Sequence, residues 1–123
     1  MDSKVQTWLY DILKAIEEIE SFFIDKPKKI LDYQNDLKTR RAVERNIEII
    51  GEAINRIIKQ DPNISIENAR NIIGTRNKII HSYDNISNEL IWSIVVNHLP
   101  RLKTEIQELV AWNICKNRGK GAK

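Results

Sequence analysis

The segment RNKIIHSYD, Arg76 to Asp84, concentrates the side chains best suited to chemistry. Arg76 is a permanent cation whose planar fork of donors matches a carboxylate or a phosphate. His81 carries an imidazole, a group that takes up and releases protons close to neutrality. Asn77 adds an amide beside the arginine, and Tyr83 adds a phenol just beyond the histidine. On a helix, about 100° per residue places Ala69, Ile72, Ile73, Ile79 and Ile80 within about 60° of Arg76, so the arginine falls inside the apolar stripe. Tyr83 lies almost directly above it, whereas Asn77 is about 100° round and His81 about 140° round. Residues that diverge this far cannot easily grip one small group. Either the helix loosens before Tyr83, or two copies of it meet about a two-fold axis. The second arrangement, a cleft holding Arg76 and His81 from both chains, is the expectation here.

A guanidinium on an apolar face keeps its charge and therefore needs a partner. Glu48 and Glu52 are the internal candidates, and two readings stay open. In one, Arg76 ties two helices together and His81 merely sits near a helix C-terminus, where a cation is favoured. In the other, Arg76 lines a cleft and meets a phosphate.

The elements that must position these residues follow from periodicity. Val5, Leu9, Ile12, Ile16, Ile19 and Phe23 recur at steps of three and four, predicting a first helix that ends before Pro27. DKPKKILDYQND reads as a connector with room for a short helical turn. Val43, Ile47, Ile50, Ile54 and Ile57 predict a second helix from Thr39 to Lys59, closed by Gln60, Asp61 and Pro62. Its opposite face carries Arg41, Arg45, Glu48, Glu52 and Asn55. Beside that arc stands Gly51, which costs a helix about 1 kcal/mol against alanine; close approach of another backbone would account for it. Ser65 is a candidate cap for the third helix, which carries the motif, and Ser87 for a fourth. Pro100 either kinks that last segment or starts a fifth helix. The sequence shows no strand-like alternation, so the class is all-α, an antiparallel four- to five-helix bundle that dimerises through the motif-bearing third helix.

With 123 residues, 41% hydrophobic and 30% charged, the chain suits one globular domain. The net charge of +3 resides in the end of the chain. Lys116, Arg118, Lys120 and Lys123 stand there without an acid, leaving the first 115 residues at 16 basic against 17 acidic. The expected division is a helical domain over 1–115 and a flexible basic tail over 116–123. Any affinity of the body for nucleic acid must then come from a local cluster. The single cysteine, Cys115, excludes an intrachain disulfide, and no Cys/His cluster has zinc spacing, so no metal is expected. No apolar run is long enough to span a bilayer, so a cytoplasmic location without membrane contact is expected.

The order R-N-x-x-x-H-x-Y at Arg76, Asn77, His81 and Tyr83 resembles the signature of HEPN domains, and specifically of HepT-like toxins. RRAVERNIEIIGEAINRI resembles the family's second-helix segment, and LIWSIVVNHLPRL the stretch after the motif. The resemblance covers Val5 to Trp112. It implies a homodimeric toxin of a type VII-like toxin–antitoxin system, partnered by a minimal nucleotidyltransferase antitoxin. It further implies an endoribonuclease that cleaves RNA without metal or cofactor. The family's catalytic arginine and histidine carry over to Arg76 and His81, the polar residue after the arginine to Asn77, and the AMP-acceptor tyrosine to Tyr83. Glu48, Glu52 and Arg45 would supply supporting ion pairs. The competing expectation is a non-catalytic HEPN subunit that binds nucleotide or RNA and positions the nucleotidyltransferase.

RNA brings its own nucleophile, the 2′-hydroxyl, so cleavage needs proton transfer and stabilisation of charge at phosphorus. His81 suits the first task and Arg76 the second, with Asn77 orienting either. Trp8, Trp92 and Trp112 read as core or interface packing, His98 as a surface or packing residue, and Asn46 as a hydrogen-bonding group within an apolar stripe at an interface.

Overall fold

A computed structural model describes residues 3–24, 29–81 and 87–121, with side chains as far as 113. Among these residues there is no strand. The elements are α1 (Ser3–Ser21), α2 (Ile30–Gln34), α3 (Leu37–Gln60), α4 (Ala69–His81), α5 (Asn88–Ser93), a π-helical turn (Ile94–His98) and α6 (Leu99–Gly121). The last three form one continuous helical rod. The chain is thus four long helical elements plus the short α2, an all-α bundle, and the motif-bearing helix is α4 because α2 occupies the connector.

α3 is the central helix, packed on one side against α1 and on another against α4. The stripes read from the sequence meet there. Leu9, Ile12, Ile16 and Ile19 of α1 are buried with Ile47, Ile50, Ile54 and Ile57 of α3. Each such side chain contributes about 1.5–3 kcal/mol when fully buried, so these stripes hold the bundle together. α6 runs antiparallel to α1: Lys103 near its start pairs with Glu20 near the end of α1 at 2.7 Å, and Asn113 near its end donates to Gln6 at 3.1 Å. α2 is held by Tyr33, which stacks on Trp92 of α5 at 5.3 Å, while Phe23 meets the same indole edge-on at 5.6 Å. Trp92 is therefore a packing residue, as expected.

The helix ends have local causes. Asp36 caps α3, accepting from the Thr39 backbone N–H at 3.1 Å and the Thr39 hydroxyl at 2.7 Å. Ser87 caps α5 through the Leu90 N–H at 3.2 Å, as its position predicts. Ser65 does not cap α4. The chain makes a turn over Glu67 and Asn68 first, and Asn68 adopts the left-handed conformation at φ 60°. Asparagine tolerates that region better than most residues, which delays the helix to Ala69.

Pro100 stands in the first turn of α6, as expected of a proline that opens a helix, although α6 continues directly from the π turn before it. A proline inside an α-helix lacks one N–H and pushes its ring against the carbonyl four residues back. Here the preceding turn is widened to the π form, and the Leu99 N–H reaches back five residues to the Ile94 carbonyl. The wider turn makes room for the ring without ending the helix. The helical backbone then continues through Gly121, past the boundary at 115 suggested by composition. Among the described residues, no helix is long and apolar enough to cross a membrane.

Candidate active site

The approach of α4 to α3 is set by Gly51. A Cβ on Gly51 would lie 2.6 Å from the Arg76 Cβ, 3.0 Å from its Cγ and 3.3 Å from the Ile72 carbonyl oxygen. The glycine thus lets the stem of Arg76 cross directly over the α3 backbone. This explains a residue that otherwise only weakens its helix.

Arg76 does not stand in the middle of the buried stripe. The buried face of α4 is made by Ala69, Ile72, Thr75 and Ile79. Thr75 tolerates burial because its hydroxyl donates to the Asn71 carbonyl at 2.8 Å. This face is rotated away from Arg76, which lies at its margin with a quarter of its side chain exposed. Ile80, expected inside, is 43% exposed. The burial of threonine in place of Ile80 is a tertiary effect that hydrophobicity alone does not encode.

At that margin the guanidinium is held from two sides. One terminal nitrogen donates to Glu52 Oε2 in a short ion pair, and the other donates to Asn77 Oδ1 at 2.9 Å. The other Glu52 oxygen accepts from Arg56 Nε at 3.0 Å, so one carboxylate spans two arginines. Of the two acids considered for Arg76, Glu52 is the partner. Glu48 instead pairs with Arg45 one turn earlier on α3, at 3.0 Å. The Arg–Glu tie between helices therefore exists, but it does not close the space above it. Arg76 lines an open groove of about 250 Å³ together with Trp8 and Asp11 of α1, Arg45, Glu48, Glu52 and Arg56 of α3, and Ile80 of α4.

Asp11 and Arg56 are further groove residues, and Trp8, expected in packing alone, also lines it. Arg56 had a signal, since it follows Glu52 by four residues, the favourable order for an ion pair on a helix. Asp11 had none. Arg41 and Asn55, placed on the same face of α3 as the site residues, do not line the groove; Arg41 pairs with Glu44 at 3.0 Å. Asn46 donates to the Ala42 carbonyl of its own helix at 3.0 Å rather than across an interface.

α4 stays regular through His81, so the divergence between Arg76 and His81 is real. His81 is exposed and does not line the groove that Arg76 enters. The helix shows no loosening as far as His81, and the stretch from there to Tyr83, Tyr83 included, lies outside the described residues. Among the described residues no group of three or more His, Cys, Asp or Glu side chains is placed to hold a metal ion.

Comparison with known proteins bears on what this arrangement is for. A protein of Methanocaldococcus jannaschii named "Putative RNase" is 34% identical over 86% of this chain and 87% of its own length. A second protein of that organism, with the same designation, is 36% identical over 84% of this chain and 94% of its own length. A protein of Thermococcus cleftensis named "Probable ribonuclease HepT" is 35% identical over 83% of this chain and 92% of its own. No solved structure matches significantly. The family model described as Ribonuclease HepT-like matches residues 12–109, which include α3, the whole of α4 and the groove residues other than Trp8 and Asp11. This chain belongs to the HepT-like ribonuclease family of the HEPN superfamily.

Proposed function

We propose that the protein is an endoribonuclease that acts as a homodimer, with each active site formed across the two-fold axis by Arg76 of one protomer and His81 of the other. The observation that carries this reading is the placement of the two side chains on one regular helix. Arg76 is anchored by Glu52 and Asn77 on the groove side, while His81 is exposed about 140° round the same helix. The two groups diverge on one helix, whereas two α4 helices packed about a two-fold axis bring an Arg76 and a His81 to one phosphodiester.

In this site the RNA 2′-hydroxyl is the nucleophile. It attacks the adjacent phosphorus, and the 5′-oxygen leaves, giving a 2′,3′-cyclic phosphate and a 5′-hydroxyl. His81 takes the proton from the 2′-hydroxyl, water supplies a proton to the leaving 5′-oxygen, and Arg76 stabilises the charge that develops on the non-bridging oxygens. Asn77 and Glu52 hold the guanidinium at the groove before substrate arrives, and the phosphate takes over part of its donor set. The chemistry is complete without a metal.

The same α4 seam supplies regulation. A nucleotidyltransferase antitoxin transfers AMP from ATP to the Tyr83 phenol, two residues beyond His81, breaking the α–β phosphoanhydride bond and releasing pyrophosphate. The added phosphate and nucleoside occupy the cleft and exclude RNA. The protein is then the toxin of a toxin–antitoxin pair acting on cytoplasmic RNA.

The test is cleavage of a labelled RNA by purified protein in the presence of chelator. The wild type is expected to cleave, leaving cyclic phosphate termini, while His81→Ala and Arg76→Ala lose at least two orders of magnitude in rate. Full activity in either variant refutes the assignment. RNA binding without cleavage by the wild type favours instead a non-catalytic subunit that positions the nucleotidyltransferase. The tie of Arg76 to Glu52 is the observation that keeps this second reading open, because a phosphate must compete with a carboxylate for the same guanidinium.

A further inference from the structure

The groove holds two more arginines that the proposed chemistry does not use. Arg45 and Arg56 both line it, and both are mostly exposed, at 71% and 56% of their side chains. They are eleven residues apart on α3, which is about three turns, so they project from nearly the same line along the helix. Arg76 crosses α3 at Gly51, six residues after Arg45 and five before Arg56. With a rise of about 1.5 Å per residue, Arg45 and Arg56 leave α3 about 9 Å before and about 7.5 Å after the crossing, and the Arg56 side chain reaches the same Glu52 carboxylate that holds Arg76. The rest of the lining is mixed, with Trp8, Ile49, Ala53 and Ile80 apolar and Asp11, Glu48 and Glu52 acidic, and both glutamates are engaged by the arginines.

We infer that Arg45 and Arg56 are substrate-binding residues that contact the phosphates on either side of the one facing Arg76, so that the RNA strand runs along α3. This inference rests on the ribonuclease reading and adds the direction of the strand. Each flanking arginine is parked on a carboxylate in the free protein, Arg45 on Glu48 and Arg56 on Glu52. Such exposed pairs are weak and exchange easily for a phosphate. Among the apolar lining residues, the Trp8 indole offers a surface for the face of a base. A base that lies on it must leave its helical stack, so the track accepts an unpaired strand in preference to a duplex.

The experiment measures binding separately from cleavage. A 2′-O-methyl oligouridylate, which lacks the nucleophile, is titrated into wild type, Arg45→Gln, Arg56→Gln and the double variant over a range of salt concentration. Each single substitution is expected to weaken binding several-fold and to reduce the slope of log affinity against log salt by about 0.7, the value for one phosphate contact on a single strand, with additive effects in the double variant. The same oligomer annealed to its complement is expected to bind more weakly to the wild type. Unchanged affinity and slope in both single variants, or equal binding of strand and duplex, overturns the inference. Because this readout needs no catalysis, it is separable from the parent reading. Loss of cleavage in His81→Ala with unchanged slopes in the arginine variants removes the track and leaves the nuclease; reduced slopes with an inactive wild type do the reverse.

Discussion

Replacing Gly51 with alanine sets two effects of opposite sign against each other. Alanine is the better helix former by about 1 kcal/mol. Its methyl group, however, would sit 2.6 Å from the Arg76 Cβ, and ordinary contact begins near 3.4 Å. α4 must therefore move locally by roughly 0.8 Å, and overpacking of this kind costs about 1–3 kcal/mol. The expected net result is a loss of stability of about 1 kcal/mol, read by urea unfolding at constant m-value. Removing the obstacle reverses the sign. In an Arg76→Gly background, the Ile72 carbonyl oxygen at 3.3 Å is the remaining close neighbour, so Gly51→Ala is expected to stabilise by up to about 1 kcal/mol. The coupling between the two positions should then be about 1–3 kcal/mol. Activity is the more sensitive readout, because displacing a positioned catalytic group by about 1 Å can reduce rate by about 100-fold. If Gly51→Ala stabilises the wild-type background as much as the Arg76→Gly background and leaves RNA cleavage intact, the reasoning about this contact is wrong.

Two further perturbations probe separate parts of the molecule. Tyr33 is buried, its hydroxyl has no hydrogen-bond partner among the described residues, and burial, reinforced by nearby Glu44, holds its pKa well above the ordinary tyrosine value of 10.0. Because the folded-state pKa is raised, the stability tied to this group is present below about pH 10 and is lost as pH rises further, when the unfolded chain ionises first. Tyr33→Phe should accordingly unfold at higher urea at neutral pH, by about 1 kcal/mol, and lose part of its alkaline sensitivity; a destabilised variant with an unchanged pH profile would show that the hydroxyl is satisfied. For regulation, incubation with ATP, Mg²⁺ and the cognate nucleotidyltransferase should add one or more AMP masses to the intact protein. Tyr83→Phe should abolish these additions, and their persistence would remove Tyr83 as the acceptor.

Much of this architecture was legible in the sequence, for identifiable reasons. The stripes of α1 and α3 are long and strictly periodic, and every residue named for α3 is buried, as are all but Phe23 for α1. Gly51 announced itself by violating helix propensity, and the structure shows why it is there. The failures share a cause, since each depended on how one helix sits on another rather than on its own pattern. The stripe of α4 is rotated so that Thr75 goes in and Ile80 comes out, because Thr75 satisfies its own hydroxyl within the helix. Glu48 and Glu52 lie on the same face of α3, and only the axial register of α4 against Gly51 selects Glu52 for Arg76. Trp8 and Asp11 enter the groove from α1, whose pairing with α3 no local signal reveals. At Pro100, a π turn absorbed what reads in sequence as a helix boundary.

A catalytic site shared between protomers is tested most directly by mixing inactive variants. Arg76→Ala and His81→Ala proteins, each inactive alone, are unfolded and refolded together in equal amounts so that subunits exchange, and RNA cleavage is then measured. Half of the dimers formed should be mixed, and each mixed dimer carries one intact Arg76–His81 pair across the two-fold. Activity is therefore expected to return to about one quarter of that of the wild type treated in the same way. A mixture as inactive as its components, with mixed dimers demonstrated by mass, would show that Arg76 and His81 do not act on one phosphodiester from opposite protomers.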